Sequence, residues 1–311
     1  MTRKPTMVAD VMKAPAMRVV IVTMDNHLAS AAARAQRLLN KQLPGVVLSV
    51  HAASEWASDA STLTRCIADI EQGDIIIASM LFMEDHFLPV MPALTARRDA
   101  CDAMVCIMSA PPVMQMTRMG KFSMDAQSGG LMGLLKRLRP SQKESDGKQA
   151  PKATAGAKQM AMLRRLPKLL RFIPGTAQDL RYFFLTMRYW LAGSEQNITN
   201  MVLSLVGRYA APERQNFKLG SQAEEPIEYP EVGLYHPKMK GKISESLQQL
   251  PKELEGKPTV GLLLLRSYLL AGNALHYDAV IAAIESRGLR VIPAFASGLD
   301  SRPAIENFFL Q

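Results

Sequence analysis

The segment Arg18-Val19-Val20-Ile21-Val22-Thr23 decides the fold, because it is an apolar and mostly β-branched run. A run of this kind, without alternating polar residues, is typical of a strand buried on both faces of a parallel sheet. Three further short apolar runs follow it along the chain, at 46–50, 74–79 and 103–108. We predict a β-strand at each of these four places.

Segments of helical periodicity separate the predicted strands. They lie at 27–42, 61–72 and 88–99, and the third contains two prolines that break it. Strands that alternate with helices of this length imply right-handed crossovers and helices on both sheet faces. The predicted fold class is therefore α/β, with a doubly wound parallel-sheet N-terminal domain over residues 1–139.

The composition changes in the middle of the chain. Residues 140–158 are mainly Ser, Lys, Gly, Gln and Ala, which predicts a flexible basic linker. Residues 159–256 form a mainly helical segment in our interpretation, with helices at 177–191 and 197–209 and an irregular loop at 211–256. A Gly-Ser pair before the second helix predicts its N-cap.

The strand–helix alternation resumes near the end of the chain. We predict strands at 259–265 and 289–293, with helices at 276–286 and 303–309. Residues 257–311 are thus interpreted as the start of a second α/β domain. Because one strand–helix–strand unit cannot bury both sheet faces, we expect this domain to be truncated in the sequence.

Composition and missing motifs exclude several classes of protein. The 311 residues are 48% hydrophobic and 21% charged, which excludes wholesale disorder, and three cysteines are too few for a disulfide framework. The longest apolar stretch, 260–265, is far shorter than the roughly 20 residues of a membrane span. No secretory signal is evident, so a cytoplasmic protein is expected.

Nucleotide and hydrolase chemistry is also disfavoured by the sequence. Every Gly-Lys pair is followed by a residue other than Ser or Thr, so there is no P-loop. Neither H-E-x-x-H nor G-x-S-x-G occurs, and the first predicted strand is followed by Met24-Asp25-Asn26-His27 instead of a glycine-rich turn.

Polar residues follow the predicted strands at the ends where open α/β sheets bind ligands. Glu84, Asp85 and His86 follow the third strand and can abstract protons or bind a metal ion. The alternative is a solvated helix N-terminus that complements the helix dipole. Arg266 and His276 follow the strand at 259–265, and there the alternative is capping and turn chemistry.

A strongly basic stretch spans residues 136–188. It holds thirteen Lys or Arg against three acidic residues, a net charge of +10, which exceeds the +9 of the whole chain. Interleaved aromatic residues suit binding to anionic lipid, nucleic acid or a flat carboxylated aromatic ligand. The alternative is a solvated helix face opposite a buried aromatic stripe.

Many short segments resemble the porphyrin-binding large (H) subunit of magnesium chelatase, in the wording of its bacteriochlorophyll branch. The same family includes the large subunit of cobaltochelatase. The matching segments occur in order over nearly the whole chain, at 80–86, 118–124, 166–168, 177–179, 189–194, 233–237, 266–267, 272, 276–277, 287–288, 291–293 and 295–300.

The resemblance implies that the chain is the N-terminal portion of a subunit that binds protoporphyrin IX as substrate. Mg²⁺, the substrate metal, is inserted in the first committed step of chlorophyll and bacteriochlorophyll biosynthesis. ATP is hydrolysed by a separate AAA+ motor subunit that works with an adaptor subunit, which agrees with the missing P-loop. The fragment alone is expected to be inactive, since most catalytic residues of the family lie beyond residue 311.

Metal insertion makes chemical demands on any site. Mg²⁺ prefers oxygen ligands, two pyrrole N–H protons need a base, and the porphyrin propionates need cationic or N–H partners. His236, Arg266 and His276 are the candidates that we expect to line the entrance to a cavity completed by further domains. No resident metal site is predicted.

Alternative functions remain open from the sequence. The chain can be a non-catalytic docking or tetrapyrrole-carrier module, or part of a cobaltochelatase large subunit. A peripheral contact with the photosynthetic membrane is a further alternative, whereas no nucleic-acid partner is expected.

Overall fold

The computed structural model describes residues 16–124, 167, 170–298 and 300–310. The strands of the described residues are β1 (Met17–Thr23), β2 (Val46–Ala52), β3 (Ile75–Ser79), β4 (Ala103–Ile107), β5 (Arg118–Met119), β6 (Phe122–Ser123), β7 (Val232–Tyr235), β8 (Ile243–Ser244), β9 (Thr259–Leu265) and β10 (Arg290–Ala296). The predicted linker at 140–158 and most of the predicted helical turns before residue 170 lie outside the described residues.

The helices of the described residues surround these strands. They are α1 (Ala29–Gln42), α2 (Ala60–Gln72), α3 (Glu84–Phe87), α4 (Met91–Arg97), α5 (Pro111–Met114), α6 (Thr176–Leu191), α7 (Glu195–Tyr209), α8 (Gln215–Gly220), α9 (Arg266–Leu270), α10 (Leu275–Glu285) and α11 (Arg302–Phe308). Short 3₁₀ helices lie at Ala53–Glu55, Pro212–Arg214 and Leu247–Gln249.

The first sheet has the strand order β2-β1-β3-β4-β5-β6. Strands β1 to β4 are parallel, while β5 and β6 extend the sheet as an antiparallel hairpin that we did not predict. Because the chain moves from β1 to β2 in one direction and from β3 to β4 in the other, the switch point lies between β1 and β3. The doubly wound parallel-sheet prediction is confirmed.

Helices cover both faces of the first sheet. On β1, Val19 and Ile21 pack in one buried cluster with α1, α6 and α7, while Val20 and Val22 pack in another with α2 and α4. This alternation follows from the period of two along a strand. The predicted helical middle segment therefore completes the core of the first sheet.

The second sheet has the strand order β8-β7-β10-β9. Strands β9 and β10 are parallel, and β7 is antiparallel to β10. Helix α10 packs on one face of this sheet and α11 on the other. The start of a second α/β domain is thus present, but β7 and β8 lie in the stretch 211–256 that we expected to be an irregular loop.

The predicted helix at 88–99 is two short helices in the structure. The chain leaves α3 before Pro89 and begins α4 at Met91, so that Pro92 occupies the first turn of α4. Proline is tolerated there because the N–H that it lacks has no partner in the first turn of a helix.

We call the first sheet with the helices that cover it the first unit, and the second sheet with its helices the second unit. The three cysteines are all buried in the first unit. Burial raises the pKa of Cys66 and of Cys106 to about 12, and it also raises the pKa of Cys101. Among the described helices, none has the length and apolarity needed to cross a membrane.

Candidate functional site

Two arginines join the two sheets. Arg34 on α1 donates from Nε to Glu195 Oε2 at 2.7 Å and from Nη2 to the carbonyl oxygen of Ala271 at 2.5 Å. Glu195 lies in the first turn of α7, and Ala271 is the C-cap residue that follows α9. Through this side chain, α1 and α7 of the first unit hold the end of α9 in the second.

Arg266 is the second of these arginines, and it is one of our predicted site residues. Its guanidinium donates to three backbone carbonyls, those of Pro230 at 2.7 Å, Tyr229 at 3.0 Å and Leu191 at 3.4 Å. These bonds tie the start of α9 to the segment that enters the second sheet. In this arrangement the Arg266 guanidinium holds backbone segments in place, and these hydrogen bonds are not directed at a ligand.

His236 is buried at the end of β7. Its Nε2 lies 3.1 Å from Glu285 Oε1, and its Nδ1 accepts a hydrogen bond from the backbone N–H of Lys238 at 3.2 Å. Burial lowers the pKa of His236 and outweighs the attraction of Glu285, so the neutral form is favoured. Since both ring nitrogens are engaged, the imidazole has no free lone pair with which to accept a proton.

A cavity of about 440 Å³, which we call the His236 cavity, opens beside this histidine. Its volume is within the range of roughly 300–1,000 Å³ of small-molecule sites. It is lined by His236, Lys238, Pro251, Glu253, Leu254, Ala282, Glu285, Ser286, Arg290 and Val291.

The lining of the His236 cavity carries two cations, Lys238 and Arg290, and two carboxylates, Glu253 and Glu285. The Nε of Arg290 is buried and has no hydrogen-bond partner among the described residues. Lys238 reaches Glu285 Oε2 with its Nζ at 2.8 Å. Apolar walls beside a guanidinium of this kind match a ligand that is apolar with a carboxylate at its edge.

His276 lies elsewhere, at the junction of the two sheets. It is exposed, and its ring centroid is 3.9 Å from that of Tyr277 and 5.6 Å from that of Tyr268. Tyr268 in turn lies 6.3 Å from His27, which follows β1 in the first sheet. The carboxyl ends of β1 and β9 therefore approach each other through these aromatic rings.

A smaller cavity of about 280 Å³ lies at the same junction, and we call it the inter-sheet cavity. Arg34, Glu195, Lys242 and Asp278 contribute charged groups to its lining. The hydroxyl of Tyr235 donates to Asp278 Oδ1 at 2.6 Å, and burial together with this carboxylate raises the pKa of Tyr235. The volume is below the range of sites that enclose drug-sized ligands.

The predicted site residues are not gathered in one place. The lining of the His236 cavity includes neither Arg266 nor His276. Glu84, Asp85 and His86 lie on α3 at the carboxyl edge of the first sheet, where the two carboxylates are exposed. Within the described ranges, no group of three or more His, Cys, Asp or Glu side chains is arranged to hold a metal ion.

Sequence reasoning missed Glu285 and Arg290. The antiparallel pairing of β7 with β10 carries His236 to the beginning of β10, where α10 ends. Glu285 is the last residue of α10 and Arg290 the first of β10. In the sequence, this glutamate and this arginine stand on either side of the predicted turn between helix and strand. They can be recognised as neighbours of His236 only once the position of β7 is known.

Two linked α/β sheets, with the His236 cavity beside the second sheet and the inter-sheet cavity at their junction, define an α/β protein with candidate ligand-binding space. Comparison with known families is consistent with this class. The family model described as "Domain of unknown function (DUF3479)" matches residues 18–184, and the model described as "CobN/Magnesium Chelatase" matches residues 187–311. The chain therefore belongs to the DUF3479 family.

Named relatives extend this result. The chain is 47% identical over 290 residues to the magnesium-chelatase H subunit of Rhodobacter capsulatus, covering 93% of the chain and 24% of that protein. It is 46% identical to the corresponding protein of Cereibacter sphaeroides, covering 95% and 24%. It is 29% identical to the chloroplastic ChlH protein of the magnesium chelatase of Oryza sativa subsp. indica, covering 92% and 21%.

These relatives confirm the resemblance that the motifs predicted. The chain spans about a quarter of the length of the bacterial relatives, 24% in each case. Their names favour the magnesium branch of the family over the cobaltochelatase alternative.

Proposed function

We propose that this chain forms part of the porphyrin-binding large subunit of a magnesium chelatase, which inserts Mg²⁺ into protoporphyrin IX. The observation that carries the proposal is the 47% identity to a magnesium-chelatase H subunit over 93% of the chain. The reaction belongs to chlorophyll and bacteriochlorophyll biosynthesis, in line with the plant and bacterial relatives. We also propose a cytoplasmic location for this chain.

The His236 cavity is the place where this chain contacts the porphyrin in our proposal. Arg290 and Lys238 bind a propionate, and Leu254 and Val291 pack against the edge of the macrocycle. His236 acts as a positioning residue, because its bonds to Glu285 and to the backbone fix the wall that carries both cations. His276, which is exposed at the sheet junction, contacts the segments that complete the subunit.

Mg²⁺ and ATP enter this scheme through other parts of the complex. Mg²⁺ is a substrate that prefers several oxygen ligands, and we assign its approach to parts of the subunit other than this chain. The sequence has no P-loop, so ATP hydrolysis is assigned to a separate AAA+ motor subunit acting with an adaptor subunit.

A domain exchange tests the proposed function. The matching segment of the Rhodobacter capsulatus H subunit is replaced by this chain, and the hybrid is combined with the motor and adaptor subunits, protoporphyrin IX, Mg²⁺ and ATP. We expect ATP-dependent formation of Mg-protoporphyrin, measured by its fluorescence. A folded hybrid that forms no Mg-protoporphyrin under conditions in which the unmodified Rhodobacter subunit does would contradict the proposal.

The cavity assignment is tested in the same hybrid. Arg290→Gln removes a guanidinium whose buried Nε has no hydrogen-bond partner among the described residues, and we expect protoporphyrin to bind about tenfold more weakly, equivalent to about 1.4 kcal/mol. Arg287→Gln is the matched control, since Arg287 is an exposed residue of the same turn that bonds its own helix at the Ala283 carbonyl. Equal affinities of the two variants would place the propionate elsewhere.

A further inference from the structure

The carboxyl edge of the first sheet has a charge opposite to that of the chain. We call this surface the acidic edge; it comprises the connections that follow β1 to β4, at 24–28, 53–59, 80–90 and 108–117. These connections hold five acidic residues and no Lys or Arg, although the whole chain has a formal charge of +9. The acidic residues are Asp25, Glu55, Asp59, Glu84 and Asp85.

Two of these carboxylates are unpaired among the described residues. Asp25 is bonded to His27, Glu55 accepts from Asn26 Nδ2 at 3.1 Å, and Asp59 caps α2. By contrast, Glu84 and Asp85 are exposed and have no ion pair or side-chain hydrogen bond with any described residue. Their negative charge is therefore available to a binding partner.

Large apolar side chains surround these two carboxylates. Phe82, Met83 and Leu88 are 54%, 55% and 55% exposed, all within seven consecutive residues. Exposed apolar side chains that are scattered singly need no explanation, but a contiguous group with a polar rim marks an interaction surface. Methionine is also adaptable in contact with different partners.

Buried groups without partners lie beneath the same surface. Trp56 is only 8% exposed, and its Nε1 has no hydrogen-bond acceptor in the part of the chain that the structure describes. The Nδ1 of His86 is buried and likewise has no described partner. Helix α3, which carries His86, contacts the 3₁₀ helix Ala53–Glu55 that precedes Trp56. Each such group is costly to leave unpaired, by about 1–3 kcal/mol.

Strained backbone shapes this surface as well. Met80 and Met108, directly after β3 and β4, have φ angles of 61° and 45°. Non-glycine residues in this left-handed region are held there by their surroundings, and they concentrate at ligand-binding and recognition sites. The backbone N–H of Met80 donates to the carbonyl of Met108 at 3.0 Å, which joins the two turns.

We propose that the acidic edge docks a basic amphipathic segment of a partner protein. Apolar residues of that segment pack on Phe82, Met83 and Leu88, and its Lys or Arg residues pair with Glu84 and Asp85. An anionic membrane surface fits poorly, because two exposed carboxylates would face lipid phosphates. This inference rests on the surface alone and does not require the proposed chelatase function.

A peptide-binding experiment tests the docking surface. The probe is a fluorescein-labelled amphipathic helix of 18 residues made of Leu and Lys, titrated against the intact chain by fluorescence anisotropy. We expect saturable binding that weakens as salt is raised. Glu84→Lys/Asp85→Lys and Phe82→Ser/Met83→Ser are each expected to weaken it about tenfold. Because these four residues are exposed, the variants should keep the far-UV circular dichroism of the parent.

A matched control separates local charge from net charge. Glu245→Lys/Glu255→Lys makes the same change in total charge at two exposed residues outside the acidic edge, and it should leave binding unaltered. No saturable binding to the unmodified chain, or equal weakening by the control, would overturn the proposal. Sedimentation of the chain with phosphatidylglycerol-containing vesicles that is lost in Phe82→Ser/Met83→Ser would also overturn it, in favour of a membrane contact.

Discussion

At the scale of single residues, Asp179 joins separate elements of the first unit through one buried carboxylate. Its Oδ1 accepts from Arg208 Nη2 at 3.2 Å and from the Tyr209 hydroxyl at 3.1 Å, and its Oδ2 accepts from the Lys121 N–H at 3.0 Å. Asp179→Ala leaves these donors without a partner, so we expect the free energy of unfolding to fall by about 3 kcal/mol. This loss is measured as a lower urea midpoint with an unchanged m-value.

A surface carboxylate is the control for this prediction. Asp300 pairs with Arg302 at 2.7 Å on an exposed turn. Ion pairs of this kind contribute little, and Asp300→Ala should leave the urea midpoint unchanged. If the urea midpoint fell by a similar amount in both variants, Asp179 would contribute no more to stability than a surface ion pair does.

His236 is expected to make stability depend on pH. Burial lowers its pKa, whereas the unfolded chain has the ordinary histidine value of about 6.5. The unfolded state therefore takes up a proton first as the pH falls, and stability that is present above about pH 6.5 is lost below it. Among its neighbours, Glu285 has a lowered pKa and Lys238 a raised one, so both titrate outside this range.

The measurement compares the parent with His236→Gln. We expect the urea midpoint of the parent to decrease more steeply between pH 7.5 and about 5.5 than that of the variant. Parallel pH profiles would show that the folded protein does not hold this imidazole neutral.

At the scale of elements, the start of α7 is a capped helix end. Ser194 Oγ accepts from the N–H of Asn197 at 3.3 Å, and Glu195 in the first turn complements the helix dipole. We expect Ser194→Ala to destabilise the protein by about 1 kcal/mol and Ser194→Gly by only a few tenths. Thermal unfolding of both variants measures the difference. Ser194 also lines the inter-sheet cavity, so equal shifts in Tm would assign the effect to packing there.

Strands differ in how well the sequence predicts them. β1, β3 and β4 were predicted to within one or two residues, because strands buried on both faces need continuous apolar runs. β7 was missed because it has only four residues, includes Gly233 and lies between Pro230 and Pro237. It forms through pairing with β10, about sixty residues later. A Cβ at Gly233 would lie 2.7 Å from the Phe295 ring, so the glycine serves that pairing.

The site was predictable in residue type and not in arrangement. His236, Arg266 and His276 are chemically suitable residues near strand ends, and the sequence is enough to name them. Their environments depend on tertiary contacts: Arg266 bonds carbonyls at 229 and 230, and His236 bonds a glutamate on α10. No local pattern in the sequence predicts which of these three side chains is exposed.

At the scale of the whole molecule, Arg34 links the two units. Besides its bonds to Glu195 and Ala271, it lies against Gly272, where a Cβ would be 2.6 Å from Nη2. Arg34→Ala should loosen the second unit, and we expect amide exchange in residues 266–278 to become about tenfold faster, equivalent to about 1.4 kcal/mol. Arg37→Ala, an exposed arginine of the same helix, is the control. Unchanged exchange in both variants would contradict the link.

The burial of all three cysteines has a practical consequence for experiments on the assembled protein. Thiols with such high pKa values are almost entirely protonated at neutral pH and shielded from solvent, so alkylating dyes should react with them very slowly. A single cysteine introduced at an exposed position such as Ser58 would then take up a maleimide fluorophore selectively. Energy-transfer distances between a dye at this position and a second dye on a bound partner become measurable without replacing a native cysteine.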